Sequence, residues 1–123
     1  MAENEETSKD ATGMVVTLAI NYGGQDEILH AAAQLFRQMQ AQGKNPEKFT
    51  AEEFAAHLYT AGMPDPDLII RPSGELRLSN FLTWQSAYAE LWFSNVLWPD
   101  FSSKHLDAAI EEYARRNRRF GGL

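Results

Sequence analysis

Three short apolar runs, separated by longer segments of helical character, restrict the fold of this chain more than any other feature. The runs are residues 14–20, 68–70 and 91–97, and each is bounded by turn-forming residues. Short, nearly continuous apolar runs of this kind are typical of strands buried on both faces of a sheet. The sequence therefore predicts three strands that lie inside a layered structure.

The segments between these runs carry helical signals. Apolar residues recur at helical spacing from Asp26 to about Gln42, and Gly43 is a suitable C-terminal stop. Thr50 and Glu53 have the spacing of a capping box, which predicts a second helix. The predicted helices are therefore residues 26–42, a second from Thr50 to Gly62, a third from Ser79 or Asn80 to about Ala89, and a last one beginning near Ser102 or Ser103.

The resulting order, β-α-α-β-α-β-α, predicts an α/β fold with a partial parallel sheet flanked by helices. Three strands are few for that architecture, since each parallel strand needs neighbours and cover on both faces. We therefore expect the sheet to be completed by a further segment or by another chain. Residues 1–13 are expected to be the tail of a helix or a disordered lead-in, and residues 14–123 to be part of one domain.

Composition excludes several classes of function. The chain has no cysteine, which excludes disulfides, thiolate metal sites and a cysteine nucleophile. Its acidic N-terminus differs from a signal peptide, and no apolar run has a membrane-spanning length, so a cytoplasmic protein is expected. Residues 1–70 carry four Lys/Arg and eleven Asp/Glu, whereas residues 71–123 carry seven and six. A few concentrated arginines on an acidic chain favour a discrete anionic ligand over nucleic acid.

The segment from Arg71 to Ser79 has the features of an anion site. It follows the end of a predicted buried strand, contains a glycine turn, and has arginines at positions 71 and 77. Guanidinium groups bind phosphate oxygens in a bidentate manner, and Ser79 would stand at a helix start, where anions are favoured. Glu90, beside the next strand, could hold Mg²⁺ at a phosphate.

Local features leave simpler alternatives open for these residues. Arg71 and Arg77 could pair with acidic neighbours, Ser79 could be only a helix cap, and Glu90 could be a structural carboxylate. The three histidines show no metal-ligand spacing, and we interpret them as structural or surface residues.

The stretch PDPDLIIRPSGELRLSNFLTWQSAYAELWFSNVLWPDF closely resembles the late signature regions of cis-prenyltransferases, the undecaprenyl and decaprenyl diphosphate synthase family. Upstream, LAINYGGQDEI resembles the segment that this family usually has as NYGGR, and downstream RRFGG resembles its RxG motif. The resemblance extends over nearly all of residues 14–122. It implies the C-terminal half of the cis-prenyltransferase fold.

The resemblance also implies an activity, in which isopentenyl diphosphate is added to an allylic diphosphate such as farnesyl diphosphate with Mg²⁺ as cofactor. Glu90 would be the metal ligand. It further implies a homodimer in the full-length protein, and association with the membrane surface through the lipid product. The residues expected to bind isopentenyl diphosphate are Arg71, Arg77, Leu78, Ser79, Arg119 and Gly121.

The chain departs from the family pattern in several places. Pro72 stands where the family more often has Thr, Gln25 replaces the usual Arg after NYGG, and Leu76 occupies a variable position. Motifs resembling MDGNGRWA, which supplies the main magnesium-binding Asp, and FSTENW do not occur. We therefore expect the isopentenyl diphosphate half-site without the allylic half-site or an assigned catalytic residue, and no prenyl transfer by the chain alone. A subunit of a heteromeric prenyltransferase and a non-catalytic diphosphate-binding module are the alternatives.

Overall fold

The computed structural model describes residues 9–116 of the chain. Helix α1 spans Gly24–Gln42 and helix α2 spans Ala51–Ala55. Strand β1, Leu68–Arg71, is followed by a 3-10 helix and then by strand β2, Glu90–Phe93. A second 3-10 helix at Trp98–Asp100 leads into helix α3, Ser103–Arg115.

The core lies between α1 and the segment that begins with α2. Ala31, Leu35 and Met39 are buried and follow one another at intervals of four residues, so one face of α1 is covered. Phe54 and Leu58 cover that face. Thr50 starts α2 with the predicted capping box, in which Thr50 Oγ1 accepts from the Glu53 N–H. This second helix is shorter than predicted, since turns replace helix from residue 56 to Gly62.

Strands β1 and β2 form a parallel pair in which Leu68 lies opposite Glu90 and Arg71 lies opposite Phe93. Helix α3 packs against β2. The observed β2 covers only the first part of the strand predicted at residues 91–97. The predicted class, an α/β fold with a partial parallel sheet, is confirmed.

The prediction of a buried strand at residues 14–20 is wrong for this structure. The segment has no regular secondary structure, and its apolar side chains are exposed, with Met14 89% and Val15 85% accessible. An apolar run becomes a buried strand only where neighbouring strands take up its backbone groups. Within residues 9–116, β1 and β2 pair only with each other, so no strand satisfies the backbone of this segment.

The helix predicted from Ser79 or Asn80 to Ala89 is also absent. Ser79, Asn80 and Leu82 adopt left-handed conformations with φ values of 52°, 64° and 46°. A right-handed helix cannot contain such residues, so the segment is a series of turns that ends in the 3-10 helix Gln85–Tyr88. The loop also packs on the core, because the Trp84 ring lies 4.5 Å from that of Phe54.

The N-terminal segment and membrane insertion are addressed only in part. Residues 9–13 contain a turn and no helix, while residues 1–8 lie outside the described part, so the expectation for residues 1–13 stays a prediction. No helix within residues 9–116 combines the length and the apolar character needed to cross a bilayer.

Candidate functional site

Arg71 is the centre of the candidate site. As the last residue of β1, it leaves the carboxyl end of the parallel pair, the edge where open α/β sheets bind ligands. Its side chain is half-buried, and Nη2 donates a hydrogen bond of 3.3 Å to Ser79 Oγ. Its Nε is buried and has no hydrogen-bond partner within residues 9–116. A buried guanidinium N–H without an acceptor destabilises the folded chain unless an anion accepts a hydrogen bond from it.

The predicted pair of Arg71 and Ser79 is therefore brought together, but for a different reason from the one expected. Ser79 does not cap a helix, because it lies in the left-handed region within a turn. Leu78 precedes it, half-buried, and its carbonyl accepts from the Phe81 N–H at 3.1 Å. No helix begins at Ser79, so no helix dipole attracts an anion there. Of the expected anion-binding groups, the Ser79 hydroxyl and the Arg71 guanidinium are the two that lie together.

Arg77 lies on the exposed side of the same loop. Its side chain is 70% accessible and forms an ion pair with Glu75. Pairing with an acidic neighbour is the simpler alternative that the sequence left open. An exposed ion pair contributes little to stability, so a diphosphate could replace Glu75 at small cost.

The turn at Ser73 and Gly74 does not offer its amides to a ligand, contrary to the sequence-based expectation. The Ser73 N–H donates to Val96 O and the Gly74 N–H donates to Ser94 O, both at 2.8 Å. Both residues have positive φ, and a Cβ at Gly74 would lie 3.2 Å from Asn95 Oδ1. The glycine therefore lets the turn close onto the chain after β2, where it extends the pairing of the strands.

Glu90 lies away from Arg71. It begins β2 opposite Leu68, whereas Arg71 ends β1, so about three residues or roughly 10 Å of strand separate them. Arg116 Nη1 donates to Glu90 Oε2 at 2.8 Å and to the Leu91 carbonyl at 2.9 Å. The structure thus gives Glu90 a structural partner.

Arg116 is held at Glu90 by a second carboxylate. Its Nη2 donates to Glu112 Oε1 at 2.6 Å, and Glu112 also accepts from Trp92 Nε1 at 2.9 Å. The hydrogen bonds to Glu112 and then to Glu90 raise the pKa of Arg116, while those from Arg116 and then Trp92 lower the pKa of Glu112. This cluster joins α3 to β2.

The magnesium site expected at Glu90 depends on which other ligands lie near it in the described part of the chain. No group of three or more His, Asp or Glu side chains suited to a metal occurs between residues 9 and 116. Mg²⁺ bound largely by phosphate oxygens and water needs only one or two carboxylates, but Glu90 is already paired with Arg116. Because the Glu90 carboxylate is paired with Arg116, its role as a magnesium ligand stays a prediction.

Arg119 and Gly121, the remaining predicted substrate-binding residues, lie outside the described residues. Their position relative to Arg71 stays a prediction.

Asn80 is a residue that the sequence indicated only as a helix cap of its own segment. It caps α1 instead, since its backbone carbonyl accepts from the Gly24 N–H at 2.7 Å and its Oδ1 accepts from the Gln25 N–H at 2.8 Å. One signal was available, because asparagine tolerates the left-handed conformation and favours capping. The partner helix, more than fifty residues upstream, could not be found from local pattern.

Glu27 and Gln85 form a second polar cluster that sequence reasoning missed. Both are buried, and Gln85 Nε2 donates to Glu27 Oε1 and Oε2 at 3.1 and 3.2 Å. The Tyr59 N–H donates to Glu27 Oε1 at 2.7 Å, and the Tyr22 hydroxyl donates to Oε2. Burial, followed by this hydrogen bond to Glu27, raises the pKa of Tyr22. A cavity of about 420 Å³ adjoins the cluster, lined by residues of segments 17–22, 59–66 and 81–85.

The chain is similar to known proteins of one family. Residues 1–121 match the family model described as putative undecaprenyl diphosphate synthase. The isoprenyl transferase of Clostridium tetani is 53% identical over 116 residues, covering 94% of this chain and 46% of that protein. The isoprenyl transferase of Rhizobium meliloti is 54% identical over 123 residues, which cover 100% of this chain and 50% of that protein.

Two solved structures share the fold. The lavandulyl diphosphate synthase of Lavandula x intermedia, solved in complex with dimethylallyl diphosphate, has a TM-score of 0.92 and 36% identity over 98% of this chain and 52% of its own. A probable undecaprenyl diphosphate synthase from Campylobacter jejuni has a TM-score of 0.76 and 34% sequence identity, and the match covers 98% of this chain and 54% of that one. The chain spans about half the length of the relatives it matches. With the family model matched from residue 1 to residue 121, this chain belongs to the undecaprenyl diphosphate synthase family of prenyltransferases.

Proposed function

We propose that this chain provides the isopentenyl diphosphate site of a polyprenyl diphosphate synthase. The observation that carries the proposal is the Arg71 guanidinium, whose Nε is buried without an acceptor at the carboxyl edge of the sheet. A diphosphate oxygen would supply the missing acceptor, and the Ser79 hydroxyl, whose Oγ lies 3.3 Å from Nη2, would donate to the same group. Arg77 adds a second guanidinium once it leaves Glu75.

The reaction that this site would serve is chain elongation. The C4 carbon of isopentenyl diphosphate would attack C1 of an allylic diphosphate such as farnesyl diphosphate, while the C1–O bond of the allylic substrate breaks and its diphosphate group leaves. Loss of a proton from C2 of the isopentenyl unit would then form the new double bond. The residues of this chain would hold the attacking substrate by its diphosphate and so orient its double bond. Arginine side chains would also offset charge on the phosphate oxygens.

The remaining family features enter as proposals as well. Arg119 and Gly121 would contact the same diphosphate, and the full-length protein would be a cytoplasmic homodimer that meets the membrane through its lipid product. Mg²⁺, when bound, would offset diphosphate charge, and Glu90 could bind it only after its ion pair with Arg116 opens. Because the chain spans about half of its relatives, we propose that alone it binds isopentenyl diphosphate without transferring a prenyl group.

Calorimetric titration of isopentenyl diphosphate into the chain tests this proposal. Arg71→Ala should weaken binding at least tenfold, about 1.4 kcal/mol, since a charged hydrogen-bonding partner of the anion is lost. Arg37→Ala is the matched control, because it removes the same charge from an exposed position on α1. Equal affinity of the wild-type chain and both variants would overturn the assignment.

A further inference from the structure

Helix α1 begins without a side-chain cap of its own. Its N-cap residue is Gly23, which has no side chain to accept from the first amides. Those amides need acceptors, because the first N–H groups of a helix have no partner within it. In this structure the acceptors come from the loop after Ser79.

Asn80 supplies two of them at once. Its carbonyl takes the Gly24 N–H and its Oδ1 takes the Gln25 N–H, at 2.7 and 2.8 Å. The contact is close, since a Cβ built at Gly24 would lie 2.4 Å from Thr83 Oγ1 and 3.0 Å from the Thr83 amide nitrogen. Only a glycine at position 24 leaves room for the loop to approach the helix in this way.

The same contacts account for the unusual backbone of the loop. Ser79 and Asn80 both have positive φ, a conformation that residues other than glycine rarely adopt, although asparagine tolerates it better than most. Such conformations persist only where surrounding contacts hold them. The two hydrogen bonds to α1 are made by the second of these residues, which directly follows the first in the chain. Ser79 is the residue whose hydroxyl reaches Arg71.

We infer that Asn80 is a positioning residue, which holds Ser79 against Arg71 by anchoring the loop to the N-terminus of α1. The inference rests on the proposed diphosphate site for its consequence, since a loop released from α1 would present Ser79 to the anion less often. Its geometric part, the contact between Ser79 and Arg71, does not depend on any ligand.

Asn80→Gly in the full chain separates the side chain from the backbone. Glycine accepts a φ of 64° and keeps the carbonyl bond to Gly24, so only the Oδ1 bond to Gln25 is lost. Asn21→Gly is the matched control, because Asn21 also has positive φ, 54°, and its side chain makes no hydrogen bond to the described residues. Asn80→Asp retains an acceptor oxygen near the helix start and serves as the rescue variant.

Two readouts are compared, the nuclear Overhauser contact between the Ser79 and Arg71 side chains and the calorimetric affinity for inorganic diphosphate. We expect Asn80→Gly to lose the contact and to bind about fivefold more weakly, the change that loss of one hydrogen bond typically causes. Asn21→Gly should change neither, and Asn80→Asp should keep the contact.

A folded Asn80→Gly chain with wild-type contact and affinity would overturn the inference. If the wild-type chain binds no diphosphate at all, the proposed function fails, and the Ser79–Arg71 contact alone decides the role of Asn80. If Asn80→Gly does not fold, Asn80→Asp decides it, because a folded Asp variant that lacks the contact contradicts a role for the acceptor oxygen.

Discussion

Replacing Gly24 with alanine tests the packing of the loop after Ser79 on helix α1. Gly24 is the first residue of the helix, where intrinsic propensity favours alanine by up to about 1 kcal/mol. Packing opposes this gain, because the new Cβ would lie 2.4 Å from Thr83 Oγ1, 2.9 Å from Thr83 Cβ and 3.0 Å from the Thr83 amide nitrogen. Rotation of the threonine side chain relieves only the first of these contacts.

The loop itself must therefore move, and the hydrogen bonds of Asn80 to α1 resist that movement. Overpacking of this kind costs about 1–3 kcal/mol, which exceeds the propensity gain, so we expect Gly24→Ala to lower the free energy of unfolding by about 1–2 kcal/mol. Urea unfolding followed by circular dichroism measures this difference. Gly13→Ala is the control, because a Cβ at Gly13 meets nothing within 4 Å and should leave stability nearly unchanged.

Thr83→Ala provides the second half of a double-mutant cycle. It removes Oγ1, so part of the cost of Gly24→Ala should disappear in the double variant, with a coupling of about 0.5 kcal/mol or more. A Gly24→Ala chain as stable as the wild type, with no coupling to Thr83, would show that the loop does not approach α1 as described.

Three further changes have defined outcomes. Glu27→Ala should lower the free energy of unfolding, measured by urea titration, by about 3 kcal/mol, because the Tyr22 hydroxyl and the Tyr59 amide lose their acceptor. Unchanged stability would contradict a structural role for Glu27. Because the pKa of Tyr22 is raised in the folded chain, the free energy of unfolding should fall as pH rises above about 10. The fall should be smaller in Tyr22→Phe, and identical pH profiles of the two chains would refute the shifted pKa. Glu90→Gln should cost about 1 kcal/mol in the same assay, since Arg116 loses a charged partner; a more stable variant would contradict the observed pairing.

The sequence predicted the elements whose signals are local. Thr50 and Glu53 form the predicted capping box, Gly43 ends α1 in the left-handed conformation, and β1 coincides with its short apolar run. Each of these depends on residues a few positions apart. Their physical causes can therefore be identified without knowledge of the fold.

The elements that were predicted wrongly depend on distant partners. Residues 79–89 were predicted to form a helix because their propensity and capping residues favour one, but Ser79 and Asn80 adopt left-handed conformations, and Asn80 forms hydrogen bonds with α1. Residues 14–20 read as a buried strand, a pattern that is realised only when neighbouring strands are present. Pattern shows what a segment can form, and the distant contacts decide which form it takes.

The candidate site was also predicted correctly in one part and wrongly in another. Arg71 and Ser79 were predicted to lie together and do so, since they stand on one short connection after a strand. Glu90 was expected at the same phosphate, but the parallel register places it at the opposite end of the strand pair, next to Arg116. Glu90 stands directly before the predicted strand 91–97, and in a parallel pair the start of one strand lies at the opposite edge from the end of its neighbour, so the predicted topology itself separates Glu90 from Arg71.

The most direct test of the proposed site is the nuclear magnetic resonance signal of the Arg71 Nε–H during titration of the chain with isopentenyl diphosphate. This N–H is buried without an acceptor in the described structure, so an oxygen of a bound diphosphate should accept a hydrogen bond from it. We expect its signal to shift downfield and its exchange with water to slow, in step with the calorimetric binding curve. Saturable binding of isopentenyl diphosphate that leaves this signal unchanged would contradict the account.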